Sequence, residues 1–375
     1  MSRRLEACDG CLRRTDLIAA IGGVIDVQWR TRQARSQVLG LPDETLLGLA
    51  PAVESRRRYE RFAPGAARAR IADAGLVAVC RCSDEYPGGL RELVDPPAVV
   101  HIAGDPEALE REDPVAIVGA RRASSYGLEV AHGLGRGLSA AGVPVVSGMA
   151  LGVDSAAHAG ALSAPGATVT VLAGGADVPY PASKRRLYRE LLARGAVVSE
   201  MPPGFGAFRW CFPARNRLIA GLARISVVVE AAARSGSLIT ADFAAELGRP
   251  VAAVPGQVTS SLAVGSNELL QAGAALVTSS ADVLDLLFSH GGGTALERTP
   301  VATAEPLEPH LRALLEAVEQ GGGSLARLAA TPEAARVALQ DLTELELRGF
   351  IRREFGGRYV RTAREGEPYA TSRES

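Results

Sequence analysis

The chain has 375 residues, with 41 lysines and arginines against 42 aspartates and glutamates, and its formal net charge at pH 7 is −1. This length predicts more than one domain, and the 47% hydrophobic content, with a mean hydropathy of +0.10, excludes a chain that is disordered throughout. Because the net charge is close to zero, any nucleic-acid site has to be a local basic patch.

The first segment, residues 1–75, predicts a small helical domain. The stretches DLIAAIGG, SQVLGLP and ETLLGLAPAV carry apolar residues at helical spacing, broken by Gly and Pro, as in a helix-hairpin-helix or SAM-like module. The N-terminus lacks the apolar region of a signal peptide, and no apolar run approaches the ~20 residues of a membrane span. We therefore expect a cytoplasmic protein with no membrane partner.

The chain has five cysteines, a small and odd number for its length. This fits a reducing compartment and argues against a framework of disulfides. Cys8 and Cys11 form a C-x-x-C pair, and Cys80 and Cys82 lie on one face of a predicted strand. Four thiolates suit one Zn²⁺. Only one residue separates Cys80 from Cys82, however, which favours the alternative that the two pairs never meet. The sequence therefore favours no metal, with zinc as the lesser alternative.

Residues 76–288 predict an α/β domain with a Rossmann-like, doubly wound parallel sheet. Apolar, β-branched runs alternate with helical stretches, and nearly every run ends in Gly, Ser, Glu or Pro. The predicted strands are 77–80, 98–103, 115–119, 143–148, 167–174, 196–200, 225–231, 250–256 and 275–278.

The C-terminal part predicts a linker followed by a winged helix. Residues 289–305 are rich in Gly, Thr, Pro and Glu and have no periodicity, which is typical of a linker. Residues 306–363 have the order helix, helix, helix, hairpin of a winged helix. The third of these helices has only Arg336 and Arg348 as basic residues, which argues against reading of a DNA major groove.

Small and basic residues follow two neighbouring strands of the predicted sheet. The strand VAIVG ends on Gly119 and is followed by Arg121 and Arg122, and the strand VPVVSG ends on Ser147 and Gly148. Ligands of open α/β sheets bind beyond the carboxyl ends of the strands. Free backbone N–H groups beside two arginines therefore predict an anion site, for a phosphate alone or in a polymer.

A second basic segment, FPARNRLIAGLA, places Arg215, Asn216 and Arg217 in the first turn of a predicted helix. Two guanidiniums and an amide at one helix start make a phosphate-contact set. The alternative is a solvated or salt-bridged surface, since arginines usually have that role. The neighbouring Trp210 and Phe212 argue against it, because charges in apolar surroundings need a partner.

Other polar residues lie at two further helix starts. Ser235, Gly236 and Thr240 come at another strand-to-helix junction, where they cap the helix, present N–H groups to an anion, or do both. Lys184 opens the helix after YPASK, where it extends the basic surface or is merely solvated.

Catalytic motifs are poorly represented. No Walker A motif (G-x-x-x-x-G-K-[ST]) occurs, and the glycines of helix 125–141 lie inside it rather than at its start, which favours close helix–sheet packing over a dinucleotide fingerprint. Asp154 and His158 are four residues apart, and we expect them to pair and hold the preceding SGMALG turn. A catalytic triad with Ser155 is disfavoured, because Ser155 points elsewhere on the helix.

Residues 115–287 carry a series of longer motifs, among them VAIVGARRASSYG, VVSGMALGVDSAAHAGAL, GATVTVLAGGADVPYP, FPARNRLIAGLA and VVVEAAARSGSLITADFAAELGRPVAAVPG. In this order they resemble the DprA/Smf family, the DNA-processing protein A of bacterial natural transformation. The resemblance implies a non-enzymatic homodimer without a cofactor, which binds and protects single-stranded DNA and helps to load RecA on it.

The resemblance also implies which residues touch DNA, and Phe212 or Trp210 is then the side chain on which a base stacks. Lys184 falls where the family often has asparagine, so its role is less defined. The implied pocket is lined by Arg121, Ser147, Gly148, Phe212, Arg215, Asn216 and Arg217 and completed by Ser235, Gly236 and Thr240.

Two other functions stay open on the sequence alone. One is a Rossmann-like, nucleotide-binding phosphoribohydrolase, whose P-G-G-x-G-T signature is only faintly echoed by PPGFGAF at 202–208. The other is a regulator that binds duplex DNA through the predicted winged helix.

Overall fold

Short runs of valine, isoleucine and alanine form one nine-stranded sheet in a computed structural model of the chain. The structure describes residues 6–28, 38–49, 52–291, 307–322, 328, 332–348, 350–353 and 359–361. The strands are β1 (Val77–Cys80), β2 (Val99–Gly104), β3 (Val115–Val118), β4 (Val145–Ser147), β5 (Thr168–Val171), β6 (Ala196–Ser199), β7 (Ile225–Val228), β8 (Val251–Ala253) and β9 (Ala275–Leu276).

The strand order across the sheet is β1-β2-β6-β5-β4-β3-β7-β8-β9. All neighbours from β6 to β9 are parallel, which confirms the predicted doubly wound fold. β1 and β2 instead add an antiparallel edge next to β6. β4, β5 and β6 follow β3 on one side of it, and β7, β8 and β9 follow on its other side. The direction in which strands are added therefore reverses at β3. Ligand crevices of such sheets form at this reversal.

Helices cover both faces of the sheet. On β3, Val115 and Ile117 pack against one set of helices, and Ala116 and Val118 pack against the other, because successive side chains of a strand alternate in direction. The helices of this unit are α1 (Asp9–Ala20), α2 (Gly22–Gln28), α3 (Asp43–Leu49), α4 (Ala52–Glu60), α5 (Pro64–Asp73), α6 (Gly88–Arg91), α7 (Ser125–Ala140), α8 (Val153–Leu162), α9 (Arg185–Arg194), α10 (Cys211–Leu222), α11 (Leu238–Glu246), α12 (Val264–Gln271) and α13 (Ser280–Gly291).

The N-terminal helices pack onto the sheet domain. Leu17, Ile21 and Ile25 share one apolar cluster with Trp210 and Ala214 at the start of α10. All of these residues belong to one compact unit, Met1–Gly291, and the rest of the chain forms a second unit, Gly292–Ser375. The boundary at residue 75 stays a prediction. Within the described residues, no helix is both long and apolar enough to cross a membrane.

Two helices on one face of the sheet, α7 and α8, approach each other closely through glycine. A Cβ at Gly135 would overlap the carbonyl oxygen of Ala157, and one at Gly160 would overlap the carbonyl of His132. These contacts join helix to helix. At Gly135 the close contact is therefore with α8, so the sequence-based expectation of helix–sheet packing is wrong at this glycine.

We expect Gly135→Ala to lower the free energy of unfolding by about 1–3 kcal/mol, because the added methyl group forces α7 and α8 apart. Gly133→Ala is the matched control on the same helix. Its Cβ has no atom within 4 Å among the described residues, and we expect it to stabilise the protein by about 0.5–1 kcal/mol. Urea denaturation of both variants checks this, and equal effects of the two substitutions would contradict it.

The described part of the second unit contains two helices and an antiparallel pair of strands. The elements are α14 (Pro309–Ala317), a π-helical turn (Val318–Gly322), α15 (Pro332–Leu347) and the antiparallel pair β10 (Ile351–Arg353) and β11 (Tyr359–Arg361). Leu311, Leu342 and Phe350 belong to its apolar core. Most of the second predicted helix, the predicted hairpin turn and residues 292–305 of the predicted linker lie outside the described residues, so the winged helix stays a prediction.

Candidate nucleic-acid interface

A pocket opens beyond the carboxyl ends of β3, β4 and β5, beside the start of α10. Its empty space, counted together with the open solvent at its mouth, is about 430 Å³. This is the side of the sheet on which the sequence predicts an anion site, next to the reversal of strand order at β3. The lining residues are Arg121, Gly148, Ala150, Leu151, Leu172, Ala173, Tyr180, Pro181, Phe212 and Arg215.

A cation and two aromatic rings meet in this pocket. The guanidinium carbon of Arg121 lies 5.2 Å from the centroid of the Phe212 ring, a cation–π distance. The ring of Tyr180 lies 5.2 Å from that of Phe212, at an interplanar angle of 54°. Arg121 and Tyr180 are exposed and Phe212 is half-buried, so the group presents both charge and aromatic surface to solvent.

Arg215 reaches the same pocket from inside the protein. Its side chain is buried, and its Nη1 donates to the carbonyl oxygens of Gly148, at 2.7 Å, and Val171, at 2.6 Å. These carbonyls lie at the carboxyl ends of β4 and β5. A Cβ at position 148 would overlap the guanidinium, so any larger residue there would displace Arg215 from these carbonyls. Arg215 therefore holds two strand ends together while its guanidinium lines the pocket.

The turn after β4 is held by Asp154, as predicted. The backbone N–H groups of Gly148 and Ala150 donate to Asp154 Oδ2 at 3.2 and 3.4 Å. Burial raises the pKa of Asp154, and Arg215 together with these N–H groups opposes that shift. These N–H groups are directed at a carboxylate of the protein itself. The predicted anion site on free N–H groups of this turn is therefore corrected, and the positive charge comes from the arginines.

The predicted pairing of Asp154 with His158 is wrong. The two ring nitrogens of His158 lie 2.7 Å from Thr168 Oγ1 and 3.1 Å from Thr170 Oγ1, on the neighbouring strand β5. Burial lowers the pKa of His158 to about 3, so the ring is neutral at physiological pH. His158 therefore fastens α8 to the sheet.

The N-terminus of α7, which follows β3, is also occupied by the protein. Glu230, directly beyond β7, accepts hydrogen bonds from the backbone N–H of Ser124, at 2.9 Å, and from its hydroxyl, at 2.5 Å. A dinucleotide-binding fold uses this helix N-terminus for the pyrophosphate. Here a buried carboxylate takes that position, which disfavours nucleotide binding in that mode.

Arg217 does not join the pocket. Its side chain is 2% exposed, and its Nη2 lies 2.5 Å from Glu200 Oε2 while its Nε lies 3.3 Å from Asp95 Oδ1. Burial raises the pKa of both carboxyls, and Arg217 opposes these shifts. A guanidinium enclosed between two buried carboxylates has no surface for a phosphate, so its predicted DNA contact is corrected to an internal ion-pair role.

The remaining predicted residues lie at varying distances from the pocket. Ser147 is buried and donates to the carbonyl of Ile117, and Thr240 is buried within α11. Asn216 Nδ2 donates to the carbonyl of Gly236 at 2.9 Å, which places the turn containing Ser235 beside the start of α10. Three other predicted residues do not line the pocket, namely Gly119, Arg122 and Lys184. Of these, Arg122 is exposed to solvent, and Lys184 lies one turn after Pro181, which does line the pocket.

Sequence reasoning missed Tyr180 and misplaced one aromatic candidate. Trp210 is 1% exposed and packs in the core between the N-terminal helices and α10, so it cannot stack with a base. Tyr180, 48% exposed, takes that place beside Phe212. The available signal was the aromatic residue in GGADVPYP, since that stretch follows the carboxyl end of β5.

Comparison with known families identifies the sheet domain. A family model described as DNA recombination-mediator protein A matches residues 77–288, from β1 into α13. The chain belongs to this family. The match includes every residue that lines the pocket and confirms the resemblance seen in the sequence motifs.

Relatives of the DNA recombination-mediator protein A family align over the same region. A putative DNA processing protein DprA of Mycobacterium tuberculosis is 46% identical over 209 residues, 56% of this chain and 54% of that protein. The match therefore spans about half the length of that relative. The DNA processing protein DprA of Bacillus subtilis is 36% identical over 234 residues, 62% of this chain and 79% of that protein.

Solved structures of family members share the fold. The X-ray structure of DNA processing protein A from Streptococcus pneumoniae superposes with a TM-score of 0.60 at 34% identity, covering 74% of this chain and 95% of that one. A structure of DNA processing protein A from Helicobacter pylori, which addresses its single-stranded DNA binding mode, gives a TM-score of 0.53 at 29% identity, covering 57% and 96%.

Proposed function

We propose that this chain is a non-enzymatic protein that binds single-stranded DNA in the pocket beyond β3, β4 and β5. The observation that carries the proposal is the meeting of three side chains: the Arg121 guanidinium and the Tyr180 ring each lie 5.2 Å from the centroid of the Phe212 ring. These side chains match the two parts of a single strand: the cation can contact a phosphate, and the rings can stack with an unpaired base.

The chemistry of the pocket distinguishes a single strand from a duplex. In a duplex the faces of the bases are stacked on each other, so aromatic side chains have nothing to contact. Stacking of a free base on an aromatic ring contributes about 1–3 kcal/mol, and neutralisation of phosphates makes binding weaken with salt, with a log–log slope of about −0.7 per phosphate. Phe212 and Tyr180 would supply the first contribution, and Arg121 and Arg215 the second.

The comparisons support the same function and extend it. The Helicobacter relative binds single-stranded DNA, and the family description names a mediator of recombination. We therefore propose that this chain protects incoming strands in natural transformation and passes them to the recombinase RecA, and that it does so as a homodimer. The whole-protein activity is a proposal, because the Mycobacterium match covers 54% of that relative.

The two other functions have less support. The residues that line the pocket, all within the described chain, include no carboxylate, histidine, cysteine or lysine, so a phosphoribohydrolase would lack a catalytic carboxylate there. Arg348, just beyond the end of α15, pairs with Glu344 in that helix at 2.5 Å, which leaves little positive charge for a duplex groove.

Fluorescence anisotropy of a labelled single-stranded oligonucleotide tests the proposal. We expect tight, salt-sensitive binding that a duplex of the same sequence displaces only at an excess of roughly tenfold or more, because the duplex offers phosphates without free base faces. Equal competition by the duplex would move DNA binding away from this pocket. Absence of binding to either form would overturn the proposal.

A further inference from the structure

Four cysteines converge at the junction of the first helix and the first strand, away from the pocket. The sulfur atoms of Cys8, Cys11, Cys80 and Cys82 all lie within 4.8 Å of one another. The Sγ of Cys82 lies 3.7 Å from that of Cys11 and 4.0 Å from that of Cys8. All four thiols are free, without a disulfide between them. Two pairs of cysteines, about 70 positions apart in the sequence, thus form one sulfur cluster.

The spacing of the sulfurs is that of a tetrahedral metal site. Zinc binds four thiolates at about 2.3 Å each, which places the sulfurs of an ideal tetrahedron about 3.8 Å apart. The two measured separations, 3.7 and 4.0 Å, fall on either side of this value. A disulfide would need an S–S distance of about 2.05 Å, so no pair is placed for one.

The local backbone explains how two short motifs produce this arrangement. Cys8 is the N-cap of α1 and Cys11 lies in its first turn, so the two side chains project from the same end of the helix. Cys80 ends β1 and Cys82 follows in the next turn, two residues on and on the same side. The backbone N–H of Cys8 donates to Cys80 Sγ at 3.4 Å, so the start of α1 also contacts the sulfur at the end of β1.

The surroundings of the cluster favour a structural metal ion. Cys11 and Cys80 are buried in an apolar cluster with Leu12 and Ile71, while Cys8 and Cys82 are exposed and leave a path for the ion to enter. Four protein ligands fill a tetrahedral coordination sphere, so no position is open for a substrate. An ion at this place would pin α1 to β1.

We propose that Cys8, Cys11, Cys80 and Cys82 bind one zinc ion that fastens the N-terminal helices to the sheet. Soft thiolates in a tetrahedral set select zinc or iron, and sulfurs this close together suit a single ion. The sequence favoured no metal because C-x-C is an unusual spacing for a zinc pair, yet the turn after β1 brings both sulfurs to the same place. This proposal does not depend on DNA binding.

Elemental analysis of the full-length protein, purified without chelator, tests it directly. We expect about one zinc per chain in the wild type, a loss to below roughly a tenth of that in Cys82→Ser, and full retention in Cys211→Ala. Cys211 is the matched control, because it is a buried free cysteine outside the cluster. Iron in place of zinc, or no metal at all, would overturn the proposal, as would disulfides between these cysteines in the purified protein.

Two further measurements do not depend on how well a variant folds. After zinc is removed from the wild type, addition of Co²⁺ should give the visible absorption of tetrahedral cobalt thiolate, and zinc should abolish it. A strong chelator should lower the melting temperature of the wild type by roughly 5 °C or more, because zinc that binds only the folded chain stabilises it. A melting temperature and absorption spectrum that do not respond to either metal or chelator would contradict a zinc site.

Discussion

Replacing Arg121 and Phe212 together by alanine is expected to weaken binding of single-stranded DNA by about 30- to 1000-fold at low salt. The double substitution removes a ring on which a base stacks, worth about 1–3 kcal/mol, and an exposed cation that meets a phosphate, worth about 1 kcal/mol. Both side chains are at least partly exposed, so the fold should persist. Anisotropy titrations beside the wild type measure the effect.

The two single variants should separate charge from stacking. Arg121→Ala should reduce the log–log salt slope by about 0.7, because one phosphate contact is lost, whereas Phe212→Ala should lower affinity with the slope unchanged. Arg111→Ala is the matched control: this exposed arginine precedes β3 at its amino end, whereas Arg121 follows it at the carboxyl end. Loss of affinity in the Arg111 variant equal to that in Arg121→Ala would refute the assignment of the pocket.

Much of the sheet domain follows from its sequence because parallel strands are buried on both faces. VAIVG, VVVEA and similar short runs rich in β-branched residues are typical of strands at the centre of a parallel sheet. The antiparallel pairing of β1 and β2 could not be read in the same way, because strand direction depends on the path of the chain between the strands. The carboxyl-edge location of the site also followed from the sequence, by the general rule for open α/β sheets.

The direction of the arginine side chains was the part that sequence reasoning could not reach. Arg215 and Arg217 are two residues apart on α10, and two residues turn an α-helix by about 200°. They therefore face opposite sides, one towards the pocket and the other towards Asp95 and Glu200. The basic residues at the start of α10 predicted a single phosphate site. The carboxylates that bind Arg217, those of Asp95 and Glu200, lie outside α10, so the sequence of the helix itself does not indicate this ion pair.

Arg217→Ala should cost about 3–5 kcal/mol of the free energy of unfolding, the largest stability loss that we expect. The substitution leaves Glu200 and Asp95 buried, 8% and 4% exposed at their side chains, without their cation. Urea denaturation of the protein, followed through the unfolding of the unit Met1–Gly291, measures the loss. Because Arg217 lies away from the pocket, variants that remain folded should keep the wild-type salt slope for DNA binding.

Two controls show whether this loss comes from buried charge. Arg224→Ala removes an arginine just beyond the same helix, whose pair with Asp113 spans 3.5 Å between side chains 57% and 42% exposed, and it should cost less than about 1 kcal/mol. Adding Glu200→Gln and Asp95→Asn to an Arg217→Met background should recover part of the stability, since no unpaired charge is then left in the interior. Full stability of Arg217→Ala together with a lower salt slope would contradict this prediction. Arg217 would then contact a phosphate, and the assignment of Arg215 to the pocket and Arg217 to the interior would be wrong.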